Sequence, residues 1–132
     1  MQKITTFLMF TGKAEEAMNF YISLFRQSAI ISITRYGPNE PGGAEGTVKH
    51  ATFSLIEQPF MCIDSPPVHG FTFTPAMSLY VSCDTEEEIK SLFEKLSENG
   101  QVFMPLAPYP FSKMFGWVAD KYGVSWQLNI LK

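Results

Sequence analysis

The sequence is poor in cysteine and histidine and has no cluster of basic residues. Its 132 residues include two Cys and two His, and its formal net charge is −3 at pH 7. Two isolated cysteines do not make a disulfide framework and are typical of a reducing compartment, so we expect a cytoplasmic protein. Phosphate neutralisation needs clustered Lys or Arg, and we therefore predict no nucleic-acid partner.

Long apolar runs are also missing. No stretch approaches the roughly 18–20 apolar residues of a membrane span, so we predict no membrane partner. The length suits one domain, residues 1–132, which can bury a core without disulfides or a structural metal. What the chain has in excess is aromatic residues, at 14% with 12 Phe. We expect some of them to line a cavity or a subunit interface.

The chain reads as two similar halves, at about residues 1–66 and 74–132. In the first half, alternating and β-branched residues predict strands over 4–10, 29–36, 47–56 and 60–64, and apolar spacing predicts a helix over 13–25. Glycines and prolines predict a loop over 37–46 and a turn over 57–59.

The second half repeats the order of elements. Strands are predicted over 76–82, 102–104, 114–119 and 124–131, with a helix that opens after Asp84 and ends at Asn99-Gly100. Thr85 and Glu88 fit a capping box at the start of that helix. A shift of 71 residues aligns the acidic pairs of the two helices. We therefore predict an α+β fold that arose by duplication of a βαβββ module.

Several motifs resemble those of a known family. They include F-L-M-F-T-G-K-A-E-E-A at residues 7–17, N-F-Y at 19–21, K-H-A-T-F at 49–53, P-F-M at 59–61 and F-G-W at 115–117. Together they resemble the PhnB-like (demethylubiquinone methyltransferase-like) branch of the vicinal oxygen chelate superfamily, which contains glyoxalases, bleomycin-resistance proteins and dioxygenases. The resemblance implies two βαβββ modules whose curved, mixed and antiparallel sheet forms a cup around one cavity, and a homodimer. Because the superfamily contains enzymes and pure binding proteins, function must be argued from the site.

The resemblance also implies where a metal would bind. Metal-using members carry ligands on the first and last strands of each half, and the matching positions here are Thr5 or Thr6, Cys62, Ala76 or Ser78, and Gln127. Only Gln127 is an ordinary ligand, whereas a divalent metal usually takes three or four imidazole or carboxylate groups. We predict no metal site and no cofactor, with a divalent metal as the less favoured alternative.

Two polar residues in predicted strands are the leading ligand-binding candidates. His50 lies in an alternating run, on the face opposite Ala51 and Phe53. Its imidazole is also a candidate catalytic base. The alternative is a structural histidine that is hydrogen-bonded across the sheet. Gln127 shares a face with Ser125 and Asn129, and that face is either a cavity wall or exposed to solvent.

Three further residues are predicted ligand contacts, each with a structural alternative. The alternative for Cys62 is a small core residue, and the alternative for Asp64 is the first residue of a turn. Trp117 belongs to an aromatic set with Tyr109, Phe111 and Phe115. The alternative for these residues is a place in the core or a dimer contact. We expect a small-molecule binding protein of unknown ligand. The alternative is a metal-dependent or His-based enzyme of lyase, isomerase or dioxygenase type.

Methyl transfer is disfavoured by the sequence. A loop that holds S-adenosylmethionine or a nucleotide follows a strand and opens a helix. The glycine-rich residues 42–46 are instead followed by a predicted strand.

Overall fold

A computed structural model describes residues 1–131. The chain divides into two compact units, unit 1 (Met1–Gly70) and unit 2 (Phe71–Lys132). The division falls in the segment that separates the two predicted halves. In the described chain, no helix has both the length and the apolar character needed to cross a bilayer.

Unit 1 is a four-stranded mixed sheet with one helix. Its elements are β1 (Thr6–Phe10), α1 (Ala14–Leu24), β2 (Ala29–Arg35), β3 (Val48–Leu55) and β4 (Gln58–Asp64). The strand order is β1-β4-β3-β2. β1 runs parallel to β4, and the other neighbours are antiparallel.

One face of this sheet is buried under α1. The helix buries its apolar stripe of Ala14, Ala17, Met18 and Tyr21. Leu8, Ala51, Phe53, Phe60 and Cys62 supply the buried side chains of the strands. Because side chains alternate along a strand, the intervening residues project from the opposite face.

Unit 2 repeats the same topology. Its elements are β5 (Ser78–Ser82), α2 (Glu86–Ser97), β6 (Gln101–Tyr109), β7 (Ser112–Ala119) and β8 (Ser125–Ile130). The strand order β5-β8-β7-β6 matches that of unit 1 element for element. β5 runs parallel to β8, and the other pairs are antiparallel. The predicted α+β fold of two βαβββ modules is thereby confirmed.

The predicted Thr85–Glu88 cap of α2 is present, with its second hydrogen bond shifted to the residue before the N-cap. Thr85 Oγ1 accepts a hydrogen bond of 3.1 Å from the Glu88 amide, and the Glu88 side chain accepts one of 2.9 Å from the Asp84 amide. The acidic first turn adds a favourable interaction with the helix dipole.

Several predicted boundaries differ from the structure, and two of them involve proline. The starts of β1 (Thr6), β5 (Ser78) and β7 (Ser112) each differ from the prediction by two residues. β6 continues through Pro105 and Pro108 to Tyr109. It is an edge strand with a shifted register. Proline is tolerated in such a strand because its missing N–H does not remove a hydrogen bond of the sheet there. The β3–β4 turn is Ile56-Glu57, at φ 50° and 65°, which is a two-residue hairpin. Pro59 therefore lies in β4, before the pairing with β1 begins at Phe60.

Candidate functional site

Each sheet has a face that its own helix leaves uncovered, which we call the open face. Strand register assigns the residues to it. In unit 1 these are Phe7, Met9, Ser32, Thr34, His50, Thr52, Met61 and Ile63. In unit 2 they are Ser78, Tyr80, Ser82, Phe115, Trp117, Ala119, Ser125, Gln127 and Asn129.

His50 lies on the open face of unit 1. Its side chain is exposed, and its ring centroid is 6.3 Å from that of Phe7. Thr34 of β2 is its cross-strand partner, but the imidazole makes no hydrogen bond to another side chain in residues 1–131. The placement is that of an available imidazole and does not support a histidine fixed across the sheet.

Asp64 lies on the opposite, helix-covered face. It is 4% exposed. Its Oδ1 accepts hydrogen bonds from the amides of Gly12 (2.8 Å) and Ala14 (2.9 Å), and its Oδ2 accepts one from the amide of Val48 (2.9 Å). The N-cap residue of α1, Lys13, supplies no side-chain cap. Asp64 therefore caps α1 from a distant strand and ties the helix to β3, a structural role that does not support a ligand contact.

Cys62 also faces the helix. It pairs with Leu8 and Ala51 in the sheet and is fully buried. Burial, with a smaller effect of the Asp64 charge, raises the pKa of the Cys62 thiol from 9.0 to about 12. A protonated thiol is a weak nucleophile and a poor metal ligand. The structure favours the core interpretation of this residue.

The raised thiol pKa leads to a chemical prediction. With the folded protein at pH 8, we expect Cys62 to resist iodoacetamide, whereas the urea-unfolded chain reacts quickly. Cys83 has a pKa of about 11, also raised chiefly by burial, and mass mapping of the two alkylated peptides separates the sites. Because both folded pKa values exceed the unfolded value of 9.0, the two thiols stabilise the protein below pH 9, and this contribution is lost between about pH 9 and 12. Rapid alkylation of folded Cys62 would contradict the prediction.

The open face of unit 2 carries a connected polar network. Gln127 Nε2 donates to Ser78 Oγ (3.2 Å), the Ser78 and Ser125 hydroxyls are 2.6 Å apart, and Trp117 Nε1 donates to Ser125 Oγ (2.9 Å). Trp117 and Gln127 are direct cross-strand partners and both are half-buried. The structure brings these two predicted residues together, and it also places Ser125 beside Gln127 as the alternation predicted.

The aromatic residues divide into two groups. The Trp117 ring lies 5.0 Å from that of Phe103, beside the polar network. Tyr109, Phe111 and Phe115 form a separate cluster at the β6–β7 turn, with centroids 5.0–6.0 Å apart. Phe115 is buried whereas Phe111 is 59% exposed, so the cluster is neither wholly core nor wholly surface. Trp117, which joins the polar network, is the aromatic residue that we keep in the candidate site.

The residues at the implied metal positions do not fit a divalent metal. Ser78 and Gln127 share the open face of unit 2. In unit 1, Thr6 and Cys62 face the helix, and their open-face neighbours are Phe7 and Met61. No group of three or more His, Cys, Asp or Glu in residues 1–131 is placed to hold a metal ion. Hydroxyl, amide and thioether groups of this kind do not make a usual divalent site.

Some residues of the site were not singled out from the sequence. Tyr80 and Phe103 in unit 2, and Phe7 and Met61 in unit 1, all lie on or beside an open face. Alternation along β5 could have placed Tyr80 with Ser78. The pairing of β5 with β8, however, joins residues 47 apart (Ser78 and Ser125), and spacing alone does not predict it.

The glycine-rich loop has a structural explanation. Residues 42–46 connect β2 to β3, and they fold over the Tyr36 ring so closely that a Cβ on Gly43 would lie 2.2 Å from it. The loop leads into a strand, as predicted, and not into a helix N-terminus that could receive an anion or a ribose.

Nearly the whole chain matches a protein family. The family model described as 3-demethylubiquinone-9 3-methyltransferase matches residues 2–129. The chain belongs to this family. The resemblance to the PhnB-like branch is thus confirmed.

Solved structures confirm both family and fold. A Bacillus cereus protein described as a putative 3-demethylubiquinone-9 3-methyltransferase, PhnB protein, is 70% identical over 98% of this chain and 99% of its own, with a TM-score of 0.94. PA1353 from Pseudomonas aeruginosa is 26% identical over 99% and 98%, with a TM-score of 0.84. A glyoxylase/bleomycin resistance protein/dioxygenase domain from Frankia is 11% identical over 100% and 93%, with a TM-score of 0.65. The last similarity shows the glyoxalase/bleomycin-resistance fold.

Proposed function

We propose that this protein binds a small organic molecule and does so without a metal site of the superfamily's type. One observation carries the proposal. On the open face of unit 2, the half-buried amide of Gln127 and the Ser78 hydroxyl lie beside the Trp117–Phe103 ring pair. Small-molecule sites combine an apolar, aromatic lining with a few placed polar groups, and this surface has that composition.

Methyl transfer receives less support than binding, although the family description names a methyltransferase. The donor S-adenosylmethionine is usually held where a glycine-rich loop opens a helix. Here the glycine-rich residues 42–46 pack on Tyr36 and enter β3. Each sheet has one helix among its described elements, which is not the doubly wound arrangement that such a loop requires.

A His-based enzyme is the second candidate. The observation in its favour is the exposed imidazole of His50 on the open face of unit 1. A base acting there would take a proton from a bound substrate through a ring nitrogen. Replacing His50 by Gln would then abolish turnover of an identified ligand and leave its affinity nearly unchanged, whereas a pure binding protein shows no turnover with either chain.

Thermal melting against metabolites and divalent metals tests the binding proposal. A ligand at a hundred times its Kd stabilises the folded state by about 2.7 kcal/mol, which raises the Tm by roughly 5 °C or more. We expect an organic compound to give this shift, and Gln127→Ala to reduce it. Gln58→Ala, at the exposed first residue of β4, is the matched control. Stoichiometric metal in the purified protein, or a metal-specific shift lost in Gln127→Ala, would refute the metal-free proposal.

We also propose a homodimer in the cytoplasm. β1, β2, β5 and β6 each lie at an edge of their own sheet, where unpaired backbone groups favour pairing with another chain. Large exposed apolar side chains, among them Ile4, Ile31 and Met77, support an interface. Sedimentation at micromolar concentration should give the dimer mass, and a monomer would refute this part. The two free thiols support a reducing compartment.

A further inference from the structure

The hydroxyl protons of the unit 2 network have a defined direction. Ser125 is 2% exposed, and its oxygen already accepts the bond from Trp117 Nε1. A buried hydroxyl proton needs an acceptor, and Ser78 Oγ at 2.6 Å is the one within reach. Ser125 therefore donates to Ser78.

This direction makes Ser78 a donor toward the open face. Its oxygen accepts from Ser125 and from Gln127 Nε2, which fills both of its lone pairs. Its own hydroxyl proton and the Gln127 side-chain oxygen have no partner within residues 1–131. The network thus presents one donor, on Ser78, next to one acceptor, on Gln127.

The surroundings of this donor and acceptor pair are uncharged. The neighbouring open-face residues are Tyr80, Trp117, Ala119 and Ser125, and none carries a formal charge. An anion would need Lys, Arg or several amides, and a cation would need a carboxylate or an aromatic cage to compensate desolvation. Beside the pair, the Trp117 and Phe103 rings supply flat apolar surface.

We infer that the unit 2 open face recognises a neutral amide-type group, in which a carbonyl acceptor and an N–H donor lie side by side, attached to a flat ring. The carbonyl accepts from the Ser78 hydroxyl, the N–H donates to the Gln127 oxygen, and the ring packs against Trp117. This inference rests on the proposed function, which it narrows from small molecules in general to uncharged amides, lactams and ureas.

Three probes of the same shape and different charge test the inference. Benzamide is neutral and carries both a donor and an acceptor, benzoate is an anion without a donor, and benzamidinium is a cation without an acceptor. We expect the full-length protein to bind benzamide at least about tenfold more tightly than either ion, as measured by saturation-transfer NMR titration; this corresponds to about 1.4 kcal/mol. Equal or tighter binding of benzoate or benzamidinium would overturn the inference.

Two substitutions sharpen the test. Gln127→Glu keeps the shape and replaces the amide by a carboxylate, so we expect the preference to move from benzamide to benzamidinium. Gln58→Glu makes the same charge change at the exposed first residue of β4 and should leave the preference unchanged. Circular dichroism verifies that both variants fold. Benzamide binding that Gln127→Glu does not alter would overturn the inference, because the probe would then bind elsewhere.

The outcomes separate the inference from the proposed function. If no probe binds but the metabolite panel yields an organic ligand whose shift depends on Gln127, the amide inference fails and the binding function stands. If neither probe nor panel compound binds, both fail.

Discussion

Replacing Asp64 by Ala should destabilise the protein by about 3 kcal/mol or more. The substitution removes the acceptor of three backbone N–H groups, those of Gly12, Ala14 and Val48. Ala14 and Val48 are fully buried, so water does not replace the carboxylate. Each buried N–H left without a partner costs about 1–3 kcal/mol. The negative charge at the start of α1 is lost as well, with its favourable helix-dipole interaction. Urea denaturation measures the change.

Two control substitutions test whether the loss of stability comes from the three hydrogen bonds to the Asp64 carboxylate. Asp64→Asn keeps one side-chain oxygen at the site, and we expect a smaller loss than for Ala. Thr85→Ala removes the local cap of α2, a single bond from the Glu88 amide, and should cost about 1 kcal/mol. An Asp64→Ala variant as stable as Thr85→Ala would contradict the remote-cap assignment.

The Asp64→Asn variant also distinguishes a structural role of Asp64 from a ligand contact. If the carboxylate only holds α1 and β3 together, Asp64→Asn should bind an identified ligand with unchanged affinity below its melting temperature. A loss of affinity in a fully folded Asp64→Asn protein would instead support a ligand contact of Asp64, the role predicted from the sequence.

Local features of the fold could be predicted from the sequence because their causes lie within a few residues. Apolar residues spaced three and four positions apart predicted both helices, and Thr85 with Glu88 predicted the N-terminal cap of α2. The repeated order of elements gave the matching topology of the two units. The remote cap of α1 could not be predicted in this way, since Asp64 and Ala14 are 50 residues apart, and parallel pairing of β1 with β4 brings them together.

The candidate site was less predictable than the fold for a related reason. Neighbouring residues of a strand point to opposite faces, so an uncertainty of one residue in register exchanges core and open face. Cys62 faces the helix, and its neighbour Met61 faces outward. The Ser78–Ser125 bond likewise depends on the parallel register of β5 and β8. His50 and Gln127 were placed correctly on their faces because long alternating runs surround them.

Gly100→Ala should be the second strongly destabilising substitution, with an expected loss of about 2–3 kcal/mol. Gly100 joins α2 to β6, and its amide donates to the Ser97 carbonyl at 3.0 Å. A Cβ at this position would lie 2.1 Å from the Ala119 carbonyl oxygen and 3.1 Å from Asp120 backbone atoms. These neighbours are backbone, so rotating a side chain does not relieve the overlap. The start of β6 must move away from the end of β7, and forced overpacking of this kind costs about 1–3 kcal/mol or more.

Gly70→Ala is the matched control, because the same methyl group there meets no atom within 4 Å and the backbone is not left-handed. Alanine restricts the unfolded chain more than glycine does, so this variant should be unchanged or more stable by up to about 1 kcal/mol. Urea denaturation of both variants should therefore give changes of opposite sign, or a loss for Gly100→Ala alone. If both variants lost little stability, the backbone at Gly100 would have room for a side chain, and the close approach of the α2–β6 connection to β7 would be refuted.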